Sequence, residues 1–197
     1  GSISADQVLI ATGAFTNAAK LLERRLALYL YGVTAVLVEV QGESRPDIPT
    51  FTCRFGSEKK AQVCFAMPPL QYPDGRWYIK GATASSVDSP IAGDSGIGPW
   101  FRGKGVEEDP KLVVGMLRKL LPGFEPGKAR ALPCMVSYTP TGNPYIDRID
   151  ERVGVAVGGN AWGVMTSDEI GRMAADMMRG VPWSGPLGAE LFKARFG

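Results

Sequence analysis

The chain has 197 residues, 45% of them hydrophobic, enough for one good-sized core or two small ones. Twenty-two Lys and Arg against twenty Asp and Glu leave a net charge of +2, with no long single-sign run, so nucleic acid and anionic membranes are not indicated as partners. No apolar run reaches the roughly 18 residues of a membrane helix, and no secretory signal is visible, which makes the cytoplasm the expected location. There is no His, so a Ser-His-Asp or Cys-His arrangement cannot exist within these residues. Cys53, Cys64 and Cys134 are an odd, widely spaced trio that argues against a disulfide framework and offers no zinc-ligand spacing.

Taken in chain order, Val8 to Ala11 read as a short, wholly apolar strand suited to the inside of a parallel sheet. It runs into Gly13 and an expected helix from about Asn17 to Leu26, with Thr16 or Asn17 as cap. Residues 27–41 read as a long β-branched strand bounded by Gly42 and Pro46. "AQVCFAMPPL" and "RWYIKGATAS" read as two more, joined by the turn "YPDG". Residues 88–108 are glycine-rich and polar and read as a flexible loop, or a lid. "DPKLVVGMLRKLLPG" is a helix with Asp109 as cap, Pro110 in its first position and Pro122-Gly123 after its end. "KARALPCMVSYTP" and "RVGVAVGG" are further strands. "TSDEIGRMAADMMRG" is a closing helix, with capping oxygens at Thr166 or Ser167 and acids at its positive end. The pattern is mixed α/β, with parallel-sheet material at both ends and an antiparallel, α+β-like middle under a covering helix.

The segment "VGGNAWGVMTSDEIG" places Gly158, Gly159 and Gly163 between a strand and a helix. Missing side chains let a flat or anionic ligand approach the backbone. Close strand–helix packing is the plainer reading of such glycines, and no GxGxxG or P-loop is present.

"ADQVLIATGAFTN" resembles the late strand of the flavin-binding domain in the D-amino-acid oxidase superfamily. "PCMVSYTPTGNPYID", "VGVAVGGNAWGVMTSDEIGRMAADMM" and "LFKARF" resemble that superfamily's C-terminal half, with monomeric sarcosine oxidase and related amine oxidases as the nearest subgroup. The resemblance implies an antiparallel or mixed-sheet substrate-binding domain over residues 27–149. Residues 1–26 and 150–197 would complete a Rossmann-like FAD-binding domain. The family's dinucleotide fingerprint is not in this chain, so the other FAD-binding half, in the same or a separate polypeptide, is the expected partner.

The same resemblance implies residue roles. Lys80 matches the lysine placed over the flavin ring, where a cation would stabilise superoxide as it forms; its plain alternative is a strand lysine facing water. Cys134 matches the cysteine linked to the flavin 8α-methyl group, against the alternative of a buried, inert thiol. Gly159, Asn160, Trp162, Gly163, Val164 and Met165 match the segment beside the flavin pyrimidine edge. Ala11, Thr12 and Gly13 match the turn near the pyrophosphate and adenine side. Met165 departs from the pattern, because sarcosine-oxidase relatives carry there a lysine that grips the substrate carboxylate. Arg76 and Arg102 are possible substitutes for it, against the alternative of solvated arginines, and Tyr138 and Tyr145 are possible pocket walls, against that of aromatic core packing. The implied activity is FAD-dependent oxidation of an amine or amino acid, with oxygen as acceptor. A dehydrogenase, or an inert binding or assembly domain that needs its other half to hold FAD, are the alternatives.

Overall fold

A computed structural model describes residues 1–42, 45–55, 62–83 and 90–197. Ala61, Ala84, Ser85 and the first residues of the 88–108 loop, all in sequence-based assignments above, lie outside the described residues. The chain divides into two compact units. One comprises residues 1–30, 92–97 and 135–197, the other residues 31–91 and 98–134.

The first unit is built on a sheet in the order β1-β9-β8, with β1 at Val8–Ile10, β8 at Tyr145–Arg148 and β9 at Val153–Val157. β1 pairs with β9 in parallel, Val8 opposite Val153 and Ile10 opposite Val155. β8 and β9 form an antiparallel hairpin. One apolar cluster gathers Ile10, Leu26, Tyr145, Val155 and Val157. Another gathers Ile146, Ala174 and Phe192 around the helix α3, Ser167–Met178. The parallel pairing expected of the apolar first strand is therefore present.

The expected helix over 17–26 does not form. A 3-10 turn at Gly13–Phe15 leads into irregular turns. Lys20 takes a positive φ of 51°, which ends any helical run. The Asn17 side chain meanwhile accepts the Leu26 N–H at 3.0 Å and donates to the Leu26 carbonyl at 2.9 Å. That side chain competes with helical pairing of the backbone and wins, as Asn often does outside regular helix.

The second unit holds most of the six-stranded sheet. Its order is β3-β4-β6-β2-β7, with β5 also paired to β6. The strands are β2, Tyr29–Val40; β3, Phe51–Phe55; β4, Gln62–Ala66; β5, Leu70–Gln71; β6, Trp77–Thr83; and β7, Pro126–Tyr138. The "YPDG" turn is present: the Tyr72 N–H donates to the Arg76 carbonyl, and the Asp74 carboxylate takes the Arg76 N–H. The helix α2, Asp109–Leu120, packs Val113, Met116 and Leu117 against Val36, Val38 and Ile79. Gly81 is what lets α2 approach β6, for a Cβ there would lie 2.8 Å from Val113 Cγ1. Asp109 does not cap α2 with its side chain. It is fully buried and accepts the Thr83 hydroxyl at 2.7 Å. Pro110 does occupy the first turn. Within 88–108, the described part is not a plain loop: it contains a short helix α1, Ile97–Arg102. Among the described residues, no helix is long and apolar enough to cross a membrane.

Candidate cofactor-binding site

Because β1 and β9 run in parallel, the segments that follow them emerge at the same end of the sheet. Ala11, Thr12 and Gly13 follow β1; Gly159, Asn160, Trp162, Gly163, Val164 and Met165 follow β9. The carboxyl ends of adjacent parallel strands are where α/β sheets hold ligands, since loops there are free to diverge.

The turn after β9 is fixed by Asn160. Its side chain is 6% exposed. The Oδ1 accepts the Thr139 N–H at 2.8 Å, the Nδ2 donates to the Gly158 carbonyl at 2.6 Å, and its own N–H donates to the Ser137 carbonyl at 3.0 Å. Thr139 also sends its hydroxyl to the Asn143 carbonyl at 2.6 Å, tying in the "TPTGNP" turn. Asn160 and Ala161 both have positive φ, 50° and 67°. Asn tolerates this well and Ala poorly. The supporting residues Ser137 and Thr139 were not anticipated, and nothing local could have pointed to them, because they lie about twenty positions earlier.

Packing accounts for the glycines. Gly158 has φ of 78°, and a Cβ there would lie 2.4 Å from Thr139 Cγ2. A Cβ on Gly159 would lie 2.9 Å from the Gly163 Cα. The backbone folds back on itself there because Gly159 has no Cβ; one on Gly163 would meet the Gly159 Cα at an ordinary 3.4 Å.

Past Asn160 the turn opens outward. Trp162 is 64% exposed, Met165 78% and Val164 91%. The N–H groups of Gly163, Val164 and Met165 donate to no partner among the described residues. The Thr166 and Ser167 hydroxyls do not cap α3. They donate backward, to the Trp162 carbonyl at 3.1 Å and the Val164 carbonyl at 2.9 Å. The first turn of α3 carries Asp168 and Glu169, as the sequence indicated. The Arg172 guanidinium grips Glu169 through two nitrogens and holds its carboxyl below the usual range.

At the β1 end, the Thr12 and Thr16 hydroxyls lie 3.0 Å apart and Thr16 donates to the Gly13 carbonyl. Gly13 has φ of 54° and open space where a Cβ would point.

Lys80 and Cys134 fall in the second unit. Lys80 is half-buried on β6, opposite Leu37 of β2. Strand alternation sends it to the face away from α2, since its neighbours Ile79 and Gly81 meet that helix. Its ammonium makes no ion pair among the described residues. Cys134 is an exposed free thiol on β7, not a buried one; its carbonyl accepts the Trp100 indole N–H at 2.6 Å. Of the other residues considered from sequence, Tyr145 is fully buried with its hydroxyl on the Ala27 carbonyl. Tyr138 is half-buried. Arg76 faces Glu39 at 3.7 Å. Arg102 is exposed at the end of α1.

Among models of known protein families, the one described as FAD dependent oxidoreductase matches residues 1–177. The chain belongs to this family. No curated protein matches the FAD dependent oxidoreductase chain in sequence. Solved structures of similar fold include iminodiacetate oxidase from Chelativorans sp. BNC1, with 15% identity, a TM-score of 0.59, and 98% of this chain matched to 47% of that one. Glycine oxidase from Geobacillus kaustophilus has 18% identity and a TM-score of 0.63 over 99% and 46% of the two chains. Fructosamine oxidase from Aspergillus fumigatus has 21% identity and a TM-score of 0.63 over 96% and 44%. The chain thus spans about half the length of these structures, and at such identities the likeness is one of fold. At the turn after β9, three adjacent N–H donors without partners among the described residues lie beside exposed apolar side chains.

Proposed function

We propose that this chain forms the C-terminal part of an FAD-dependent oxidoreductase that oxidises a small amine or amino acid at its C–N bond, with oxygen as acceptor. The observation that carries the reading is the row of open donors at Gly163–Met165, at the carboxyl end of the β1–β9 pair in a chain of this family. When bound, FAD supplies the hydride acceptor. The N–H groups of Gly163, Val164 and Met165 would hold the flavin's electron-rich pyrimidine edge and so would favour its reduced, more negative form. Gly159 and Asn160 hold that turn in shape, while Trp162 and Val164 keep water from the ring. Ala11, Thr12 and Gly13 pass the pyrophosphate side without a bulky side chain. Lys80 would lend positive charge where oxygen is reduced. The exposed Cys134 thiol would be the residue to attach the flavin through its 8α carbon. Met165 gives no cation for a carboxylate, so the substrate need not carry one at that position.

On this reading residues 1–26 and 150–197 belong to the FAD-binding domain and residues 27–149 to the substrate-binding domain. The FAD-binding half with the dinucleotide fingerprint is the partner, and this chain alone turns nothing over.

The test uses protein in which this chain is joined with that half. It should absorb near ~450 nm and release peroxide from secondary amines or amino acids at saturating oxygen. Lys80→Met should slow reoxidation by oxygen at least tenfold and leave reduction by substrate unchanged. Mass spectrometry after unfolding should find the Cys134 peptide heavier by one flavin. A colourless protein that takes up no FAD would favour an assembly domain, and dye reduction without peroxide a dehydrogenase.

A further inference from the structure

β3 and β4 pair in antiparallel register with Cys53 directly opposite Cys64. The kind of pair follows from the next strand. The Met67 N–H donates to the Lys80 carbonyl at 2.9 Å, and Ala66 stands opposite Gly81. The polar backbone groups of residues 65 and 67 therefore point to β6, and those of 64 and 66 to β3. Cys53 and Cys64 are thus a hydrogen-bonded pair, in which opposed Cα atoms lie about 5.5 Å apart. That separation falls in the range disulfides span. Both side chains point to the same face. Both belong to, or pack on, the cluster beneath α2. The Cys53 sulfur lies 3.5 Å from the Cys64 carbonyl and 3.5 Å from the Met116 sulfur. Both thiols are free. Cys64 is 3% exposed and Cys53 is half-buried, so the way in is on the Cys53 side and admits a small oxidant.

We infer that Cys53 and Cys64 form a reversible cross-strand disulfide when the protein meets hydrogen peroxide. This inference does not rest on the proposed function, since the oxidant is named and can be added. One thiolate sulfur attacks an oxygen of peroxide; the O–O bond breaks, hydroxide leaves, and a sulfenic acid forms. The second thiolate then attacks that sulfur, the S–O bond breaks and a second hydroxide leaves. The two protons given up by the thiols turn both hydroxides into water. Two thiols and one peroxide become one disulfide and two waters, with each sulfur oxidised by one electron and the peroxide reduced by two. The bond closes the β3–β4 hairpin at one edge of the large sheet. A thiol reductant reverses it.

Burial pushes both thiols above their usual range, and for Cys64 the neighbouring Cys53 and Asp109 add to the effect. The thiolate is the nucleophile, so oxidation should quicken as pH rises through 9. Peroxide is added to the intact protein, free thiols are then blocked, and the chain is digested with trypsin. Arg54 and Lys60 lie between the two cysteines, so linkage joins two separate peptides and lowers their summed mass by two hydrogens. The joined peptides should appear, vanish with dithiothreitol, and accompany a higher melting temperature. The Cys53→Ser variant should show the same melting temperature before and after peroxide. The inference is overturned if both cysteines remain blockable while Cys134 is oxidised, or if either links to Cys134 instead.

Discussion

At the scale of the residue, the turn after β9 rests on two neighbours with unequal claims to their conformation. Asn160 at φ of 50° is held by bonds to Ser137, Thr139 and Gly158. Ala161 at φ of 67° has only its position in the turn. A left-handed conformation costs an L-residue with a Cβ about 1–2 kcal/mol. Ala161→Gly should therefore raise stability by up to about 1 kcal/mol, the relief being partly offset by the freer unfolded chain. Asn160→Ala should lower it by about 3 kcal/mol, because a buried N–H and a buried carbonyl lose partners. Urea unfolding of the two variants beside the parent reads both effects, and equal midpoints for all three would contradict the account of the turn. Of this residue-scale detail the sequence displayed half. The glycines and the Asn at a strand end were visible. That Thr139 takes the other side of Asn160 was not, because a contact between residues 21 apart leaves no local pattern.

At the scale of the element, packing decides what propensity leaves open. β2, β6, β7, β9, α2 and α3 were legible because each combines a clear apolar period with turn or stop residues at its ends. β3 and β8 were not. Phe51–Phe55 is short and closely follows Pro46 and Pro49, and Tyr145–Arg148 is four residues long and half charged. Their strand character comes from the hairpin partners β4 and β9, which supply the missing hydrogen bonds. The failed helix at 17–26 is the reverse case, where one Asn side chain bonded to Leu26 outweighs a run of helix-compatible residues. The α2–β6 contact allows a sharp check. Gly81→Ala would place a Cβ 2.8 Å from the branched Val113 and 3.0 Å from the Phe65 carbonyl. Neither can swing aside as a long side chain would, so overpacking should cost about 1–3 kcal/mol. Val113→Ala in the same chain should recover part of that loss, a coupling readable from a double-mutant cycle of urea midpoints. Strict additivity of the two substitutions would mean that α2 does not press on Gly81.

At the scale of the whole molecule, the charge inventory sets how stability follows pH. There is no His, and His is the side chain whose ordinary titration falls between pH 5 and 8. Below that range carboxylates act. The Tyr78 hydroxyl bonded to Asp74, the Arg25 guanidinium on Asp94, and Arg172 on Glu169 each hold a carboxyl below its usual value. A lowered carboxylate contributes stability that is complete above its unfolded value, about 4. That contribution is lost as pH falls through the lower folded value. Above the range, acids with raised values act. Burial lifts Cys64 and Tyr145, and the bond to Asp74 lifts Tyr78. Their stability is complete below the unfolded values, about 8.5 for Cys and 10 for Tyr, and is lost as pH climbs toward the folded ones. The melting temperature should accordingly stay level from about pH 5 to 8, fall below about pH 4, and fall again above about pH 9. All the named carboxylates are exposed enough for salt to screen them. Adding 1 M NaCl should then soften the acid limb and leave nearly unchanged the part of the alkaline limb that rests on burial of Cys64 and Tyr145. A slope inside the level range would mean that a group other than these changes its protonation on folding.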